Sequence, residues 1–155
     1  MILTTRETPA MRDELFNLGI SQISAESRTA PGGYTVDQEA QSSQFALSDG
    51  RSLDEIISTL IEKKNIPSFC AACYRRARTG EVFMNLAKPG TIKGKCNLNA
   101  LITLKEYLDD FASGGVKEAG YSLIEEVKEN LDEENRIILE KYFKDIDRGL
   151  RDEYV

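Results

Sequence analysis

Two short β-branched, apolar runs open the chain: "ILTT" from Ile2 and "ISQIS" from Ile20. Both read as strands. Between them, "TPAMRDELFNLG" changes to a helical period. Met11, Leu15 and Leu18 predict its buried face, Pro9 suits a first turn, and Gly19 predicts a left-handed stop. A strand, a crossover helix and a second strand form a βαβ unit, so the strands are expected to be parallel neighbours. Two parallel strands do not make a stable sheet alone. This portion therefore reads as the end of a larger β/α protein, cut off upstream.

After the second strand, "AESRTAPGGYTVDQEAQSSQFALSDG" predicts a long loop, rich in Gly, Pro, Ser and Gln. "RSLDEIISTLIEKKN" returns to a helical period, with Leu53, Ile56, Ile57, Leu60 and Ile61 as its apolar stripe. Ser52 and Glu55 are spaced as a capping box. "TGEVFMNLAKPG" predicts a short helix ended by Pro89 and Gly90. "NLNALITLKEYLDDFASGG" predicts a long one, capped by Asn97 or Asn99 and stopped at Gly114. Two further amphipathic stretches complete a helical second half, their Leu, Ile, Tyr and Phe stripes reading as core. The fold class is α/β, with residues 1–50 and 51–155 as separate domains.

Composition narrows the function. Hydrophobic residues make up 41% and charged residues 30%, as in ordinary globular domains. No apolar run approaches the roughly 20 residues that span a bilayer, and the opening carries no secretory pattern. A cytoplasmic location, with reduced thiols, is the resulting expectation. A net charge of −6 disfavours nucleic acid and membrane as partners. From Tyr74 to Cys96, however, six cations face one acid, whereas residues 105–155 hold 15 acids and 8 bases. The basic island coincides with the cysteines, and nearby cations favour thiolate.

Cys70, Cys73 and Cys96 form a C-x2-C-x22-C pattern, the last returning across "KPGTIKGKC". Four readings follow from spacing: three unrelated buried cysteines, a structural zinc, a redox pair, or an iron–sulfur cluster. Zinc lacks a fourth cysteine and any histidine. A redox C-x-x-C belongs just after a strand and leaves Cys96 unexplained. A cluster with three thiolates and one open iron accounts for all three cysteines and for the arginines beside them.

"LTTRE", "RDELFNLGISQISAESRTAPGGY", "QFALSDGRSLDEII", "PSFCAACYRRARTGEVFMNLAKPGTI" and "NALITLKEYLDDFAS" together carry a resemblance. From about Ile2 to Ser113, and more loosely beyond, the chain resembles the C-terminal part of the FeFe-hydrogenase maturases of the HydG family, which are radical S-adenosylmethionine tyrosine lyases. The 2-iminoacetate synthases of thiamine synthesis share the "TRE" and "PGGY" segments, but the cysteine block points to the maturases. The resemblance implies the last strands and helix of a radical-SAM β/α barrel in residues 1–50, then a mainly helical accessory-cluster domain in 51–155.

In such an enzyme, tyrosine is split to p-cresol and dehydroglycine, and the fragment becomes carbon monoxide and cyanide on iron for the hydrogenase H-cluster. Cys70, Cys73 and Cys96 match the ligands of the accessory 4Fe–4S cluster, which can carry an extra iron. S-adenosylmethionine and a second 4Fe–4S cluster belong to the full-length enzyme. Their C-x3-C-x2-C motif is not among the three cysteines here, so this chain alone is not expected to be active. Expected partners are a tyrosine-derived small molecule, the missing N-terminal barrel portion and other hydrogenase maturation proteins. A different class of function is a stand-alone metal-binding or interaction module without catalysis.

Arg6 and Ser24 follow the two strands, on the rim where β/α barrels build their active sites. Arginine holds carboxylates bidentately, so Arg6, helped by Ser24, is the candidate for binding the substrate carboxylate. The competing reading pairs Arg6 with Glu7 or Asp13. Ser27 and Arg28 are weaker candidates, and Tyr34 reads as loop packing. The resemblance also leads to glycine where Glu26 and Ala77 stand, and to proline where Leu98 stands.

Overall fold

The computed structural model describes residues 2–31, 33–34 and 44–155. Within the long loop expected over residues 25–50, Gly32 and residues 35–43 lie outside the described residues. The chain divides into two compact units, Met1–Thr59 and Leu60–Val155.

In the first unit, β1 (Ile2–Leu3) and β2 (Gln22–Ile23) pair in parallel, Ile2 opposite Gln22 and Leu3 opposite Ile23. The expected βαβ order is present, with strands of two residues each. The crossover is α1 (Pro9–Leu15) and a 3-10 turn, Phe16–Leu18, stopped at Gly19 with φ +79°. The buried face of this crossover differs from the expected one. Met11 and Leu18 are exposed, and Arg12 and Phe16 are buried instead. Arg12 and Phe16, four residues apart, share the inner face, and the 3-10 turn, which advances about 120° per residue rather than 100°, turns Leu18 away from it. Arg12 can be inside because its guanidinium meets the fully buried carboxylate of Asp49 and the carbonyl of Ser24. Arg51 completes the network, bonding Asp49 at 2.7 Å and Asp13 at 3.0 Å. Burial works to raise the Asp49 pKa. Hydrogen bonds from Arg51 and the charges of Arg12 and Arg51 outweigh it and bring the pKa down to about 2.

α2 (Leu53–Glu62) starts on the expected capping box: the Ser52 N–H donates to Glu55 at 2.8 Å, and the Glu55 N–H to Ser52 Oγ at 3.3 Å. Ile56, Ile57 and Ile61 of its stripe are buried.

The second unit is helical: α3 (Ala72–Arg75), α4 (Gly80–Ala87), α5 (Ile92–Asp110), α6 (Gly114–Glu129) and α7 (Glu133–Asp147). α5 packs against both α6 and α7. The core is Leu98, Leu101, Ile102, Leu104 and Leu108 with Leu123, Ile124, Leu139 and Ile146. Each such side chain contributes about 1.5–3 kcal/mol when fully buried. Gly120 lets α6 approach α5; a Cβ there would lie 2.5 Å from a methyl of Leu108.

Two expected boundaries move. α5 begins at Ile92, not at an Asn97 or Asn99 cap: Lys93 and Lys95 are good helix formers, and the helix continues through Gly94 despite its cost of about 1 kcal/mol relative to alanine. Gly114 opens α6 rather than closing α5, which ends at Asp110. Cys96 therefore sits on a helix, not in a turn.

Candidate functional site

The first two thiols come from a segment tied down before and after them. The Phe69 N–H donates to Thr103 Oγ1 at 3.1 Å, and the Phe69 ring stacks on Tyr107 at 5.3 Å. The Ala72 N–H donates to Cys70 Sγ, 3.4 Å away. Cys73 lies in α3, which ends in a Schellman motif. Ala77 takes φ +51°, its N–H donates to Tyr74, and the Arg78 N–H donates back to the Cys73 carbonyl at 2.8 Å. This turn reverses the chain and returns Arg78 toward the thiols.

Cys96 lies on α5, at the head of a stripe spaced alternately three and four: Cys96, Asn99, Thr103, Glu106 and Asp110. Thr103 holds Phe69. The other three hold residues 151–155. Asp110 takes Arg151 bidentately at 2.6 Å, Glu106 accepts the Glu153 N–H at 3.1 Å, and Asn99 Oδ1 accepts the Val155 N–H at 2.8 Å. Sequence reasoning missed this stripe because polar residues at helical spacing read as a solvated face.

All three cysteines are free thiols, and the structure brings them within electrostatic reach of one another. Burial pushes the Cys96 thiol up first. Cys73 and Cys70 push it further, and Arg78 alone opposes them. Three thiols within reach of one another, with one arginine opposing, form a soft donor set that a bound cation can satisfy. Among the described residues, no three His, Cys, Asp or Glu side chains are grouped as ligands of one metal ion. A single tetrahedral zinc needs sulfurs only about 3.8 Å apart, from Zn–S bonds of about 2.3 Å. Thiols that each bind a different iron of a cluster stand wider. The soft, histidine-free donor set fits an iron–sulfur cluster held by Cys70, Cys73 and Cys96.

The other sequence candidates lie in the first unit. Arg6 is exposed, with its guanidinium 4.1 Å from the Phe45 ring centroid and its N–H on Thr4 Oγ1. Asp13, an alternative partner for Arg6, binds Arg51. The Ser24 N–H extends the β ladder to the Leu3 carbonyl at 2.9 Å. Arg28 lies 3.8 Å from Glu26, and the Tyr34 hydroxyl accepts the Arg28 N–H at 3.0 Å. Glu26 and Ala77, where the resemblance led to glycine, both take positive φ, +49° and +51°. That is the left-handed region glycine enters without steric cost.

Residues 1–66 match the family described as the Biotin and Thiamin Synthesis associated domain. Among curated relatives, the 2-iminoacetate synthase of Salmonella typhimurium is 41% identical over 58 residues, 37% of this chain and 15% of the relative. The Escherichia coli 2-iminoacetate synthase is 40% identical over the same length. The chain thus spans a small part of these relatives. The crystal structure of HydG, a maturase of the FeFe-hydrogenase, superposes on all of this chain with TM-score 0.91 and 42% sequence identity. The chain resembles the C-terminal part of HydG along its whole length. It covers 34% of the HydG chain, and the cysteine-bearing unit lies within the superposed region. The mixed α/β class read from the sequence is the one found. The match to 2-iminoacetate synthases is confined to 58 residues, whereas the HydG match runs through the cysteines and the last helices.

Proposed function

We propose that this chain is the portion of a HydG-type radical S-adenosylmethionine tyrosine lyase that binds the accessory 4Fe–4S cluster, through Cys70, Cys73 and Cys96. In this reading the whole enzyme makes carbon monoxide and cyanide on iron for the FeFe-hydrogenase H-cluster. The C-x2-C-x22-C thiols, within electrostatic reach of one another and of the Arg78 cation, carry the reading. Full-length similarity to HydG supports it. The cluster, when bound, supplies an iron without a protein thiolate, open to a small ligand or an additional iron.

The chain's own residues do the rest. The Ala72 amide and Arg78 offset the negative charge at the sulfurs. Arg6 and Ser24 are assigned to the carboxylate of tyrosine or its fragment. Phe45 stacks on the Arg6 guanidinium and leaves its edge N–H groups able to donate. S-adenosylmethionine cleavage is assigned to the part of the enzyme that this chain does not span. Other maturation proteins are the expected partners, and the cytoplasm the expected location. No helix among the described residues is long and apolar enough to cross a membrane.

Anaerobic reconstitution with iron and sulfide tests the reading. Uptake of about four irons per chain is expected, as in a 4Fe–4S cluster, with most of it lost in Cys96→Ala. Stoichiometric zinc binding without an iron chromophore would overturn the cluster. Formation of p-cresol by this chain alone would overturn the assignment of radical chemistry to the other part.

A further inference from the structure

The residues 151–155 lie along α5 in the opposite direction. Arg151 meets Asp110, Glu153 meets Glu106, and Val155 meets Asn99. From Asp110 to Asn99 the helix rises about 16 Å, and four peptide steps reach about 14 Å. The segment is therefore nearly stretched along the stripe. Its Val155 end stands one turn of helix from Cys96, because Asn99 is three residues on.

The same segment also meets the arginines that follow the other two thiols. Arg75 bonds Asp152 at 3.1 Å, two residues after Cys73. The guanidinium carbons of Arg75 and Arg76 stand 5.8 and 5.1 Å from the Tyr154 ring centroid. Tyr154 thus receives two cations on its ring while its neighbour Val155 is bonded to the Cys96 helix. Of the three arginines after the cysteines, two are turned to residues 152–154, and Arg78 is the one that acts on Cys96. Phe69 ties the near end of the cysteine segment to α5, and Tyr154 ties the far end.

We propose that Tyr154 is a positioning residue: with Asp152 and Val155 it clasps the Cys70–Arg78 segment to the face of α5 that carries Cys96, and so sets the spacing of the three thiols. The consequence for cluster binding rests on the function proposed above; the clasp itself does not. Asp152 takes φ +62°, a left-handed conformation that aspartate enters more readily than most residues, and its carboxylate bonds Arg75. Cation–π attraction needs the ring face and not the hydroxyl. Phenylalanine should therefore replace Tyr154, and leucine, apolar but without a ring face, should not.

The test uses the full chain as wild type, Tyr154→Phe and Tyr154→Leu, with two readouts. The metal-free protein is treated with dibromobimane, which becomes fluorescent when both of its arms bond to neighbouring thiols. A second sample is reconstituted with ferrous iron and sulfide, and the iron retained is measured after desalting. Tyr154→Leu is expected to lower both bridging rate and iron affinity roughly 10-fold, the low end for a group that orients ligands. Tyr154→Phe is expected to match wild type. Wild-type behaviour of Tyr154→Leu in the bridging assay would overturn the clasp. Loss of helical circular dichroism in Tyr154→Leu would make the residue merely structural and overturn it equally. If wild type retains no iron and sulfide, the cluster reading fails, and the bridging rates alone still decide the clasp.

Discussion

The N–H of Arg78 donates to the carbonyl of Cys73 at 2.8 Å, across a turn whose pivot, Ala77, lies in the left-handed region. An L-residue pays roughly 1–2 kcal/mol for that conformation, and glycine does not. Glycine's extra freedom in the unfolded chain returns about 0.5–1 kcal/mol of this. Ala77→Gly is therefore expected to stabilise the chain by about 0.5–1 kcal/mol, within those limits. Urea unfolding monitored by circular dichroism measures it, and a lowered midpoint would contradict the strain.

The buried Arg12–Asp49 pair predicts both a mutational and a pH effect. Removing one partner strands a charge, so Asp49→Asn should destabilise the first unit by about 3–5 kcal/mol. The folded pKa of Asp49, about 2, lies below the ordinary 3.8. Its contribution is fully present above pH 3.8 and is lost as the pH falls toward 2. The shift corresponds to about 2 kcal/mol. Hydrogen exchange at the amides of Arg12 and Ser24, followed between pH 5 and 2 (roughly the range over which a depressed carboxylate is protonated), should show the loss. Asp49→Asn should remove the pH dependence. Unchanged protection in both would contradict the pairing.

Lys105 makes the opposite prediction, at alkaline pH. Its ammonium is nearly shut from solvent, 2.7 Å from Asp147, 2.9 Å from Asp109 and 3.1 Å from the Tyr121 hydroxyl. Burial works to lower its pKa, but these three partners outweigh burial and raise it above the ordinary 10.5. Such a group stabilises the fold below pH 10.5 and stops doing so as the pH rises through its folded value. Tyr121 also titrates upward, chiefly by burial and the bond to Asp109, and adds in the same direction. The Tm of the second unit should fall above pH 10.5, and less steeply in Lys105→Met. Parallel Tm curves for the two proteins would rule out this role for Lys105.

Gly120 sits where α6 meets Leu108 of α5. Alanine there gains about 1 kcal/mol of helix propensity. Its Cβ would also stand 2.5 and 2.7 Å from the two methyls of a fully buried leucine. Overpacking of this kind costs about 1–3 kcal/mol, so Gly120→Ala should be net destabilising by about 1 kcal/mol. The cost should shrink when Leu108 is changed to alanine in the same chain, a coupling read by a double-mutant cycle. Simple additivity would place the strain elsewhere.

Features that depend on a few neighbouring residues were legible in the chain. The short β-rich runs at Ile2 and Ile20 marked the paired strands. The Ser52–Glu55 spacing marked the start of α2, Gly19 marked a stop, and the apolar stripe of α2 was mostly buried as expected. Propensity, capping and periodicity act over one or two turns, so the local sequence carries them. The C-x2-C-x22-C pattern likewise named the three thiols.

Tertiary structure decided what depends on distant partners. Arg12 is fully buried in α1. It is inside because Asp49, 37 residues away, waits there with a carboxylate that would otherwise be buried alone. Cys96 looked like a turn residue and became part of a helix face. Val155 reaches that face at Asn99 from 56 residues away, and nothing near either residue announces the bond. Whether a polar side chain is solvated or used depends on what the fold brings opposite it, because burial without a partner is costly and burial with one is not. The local sequence marked most of the elements and the three thiols; the bonds that tie residues 69–78 and 151–155 to α5 join partners far apart in the chain, which only the fold brings together.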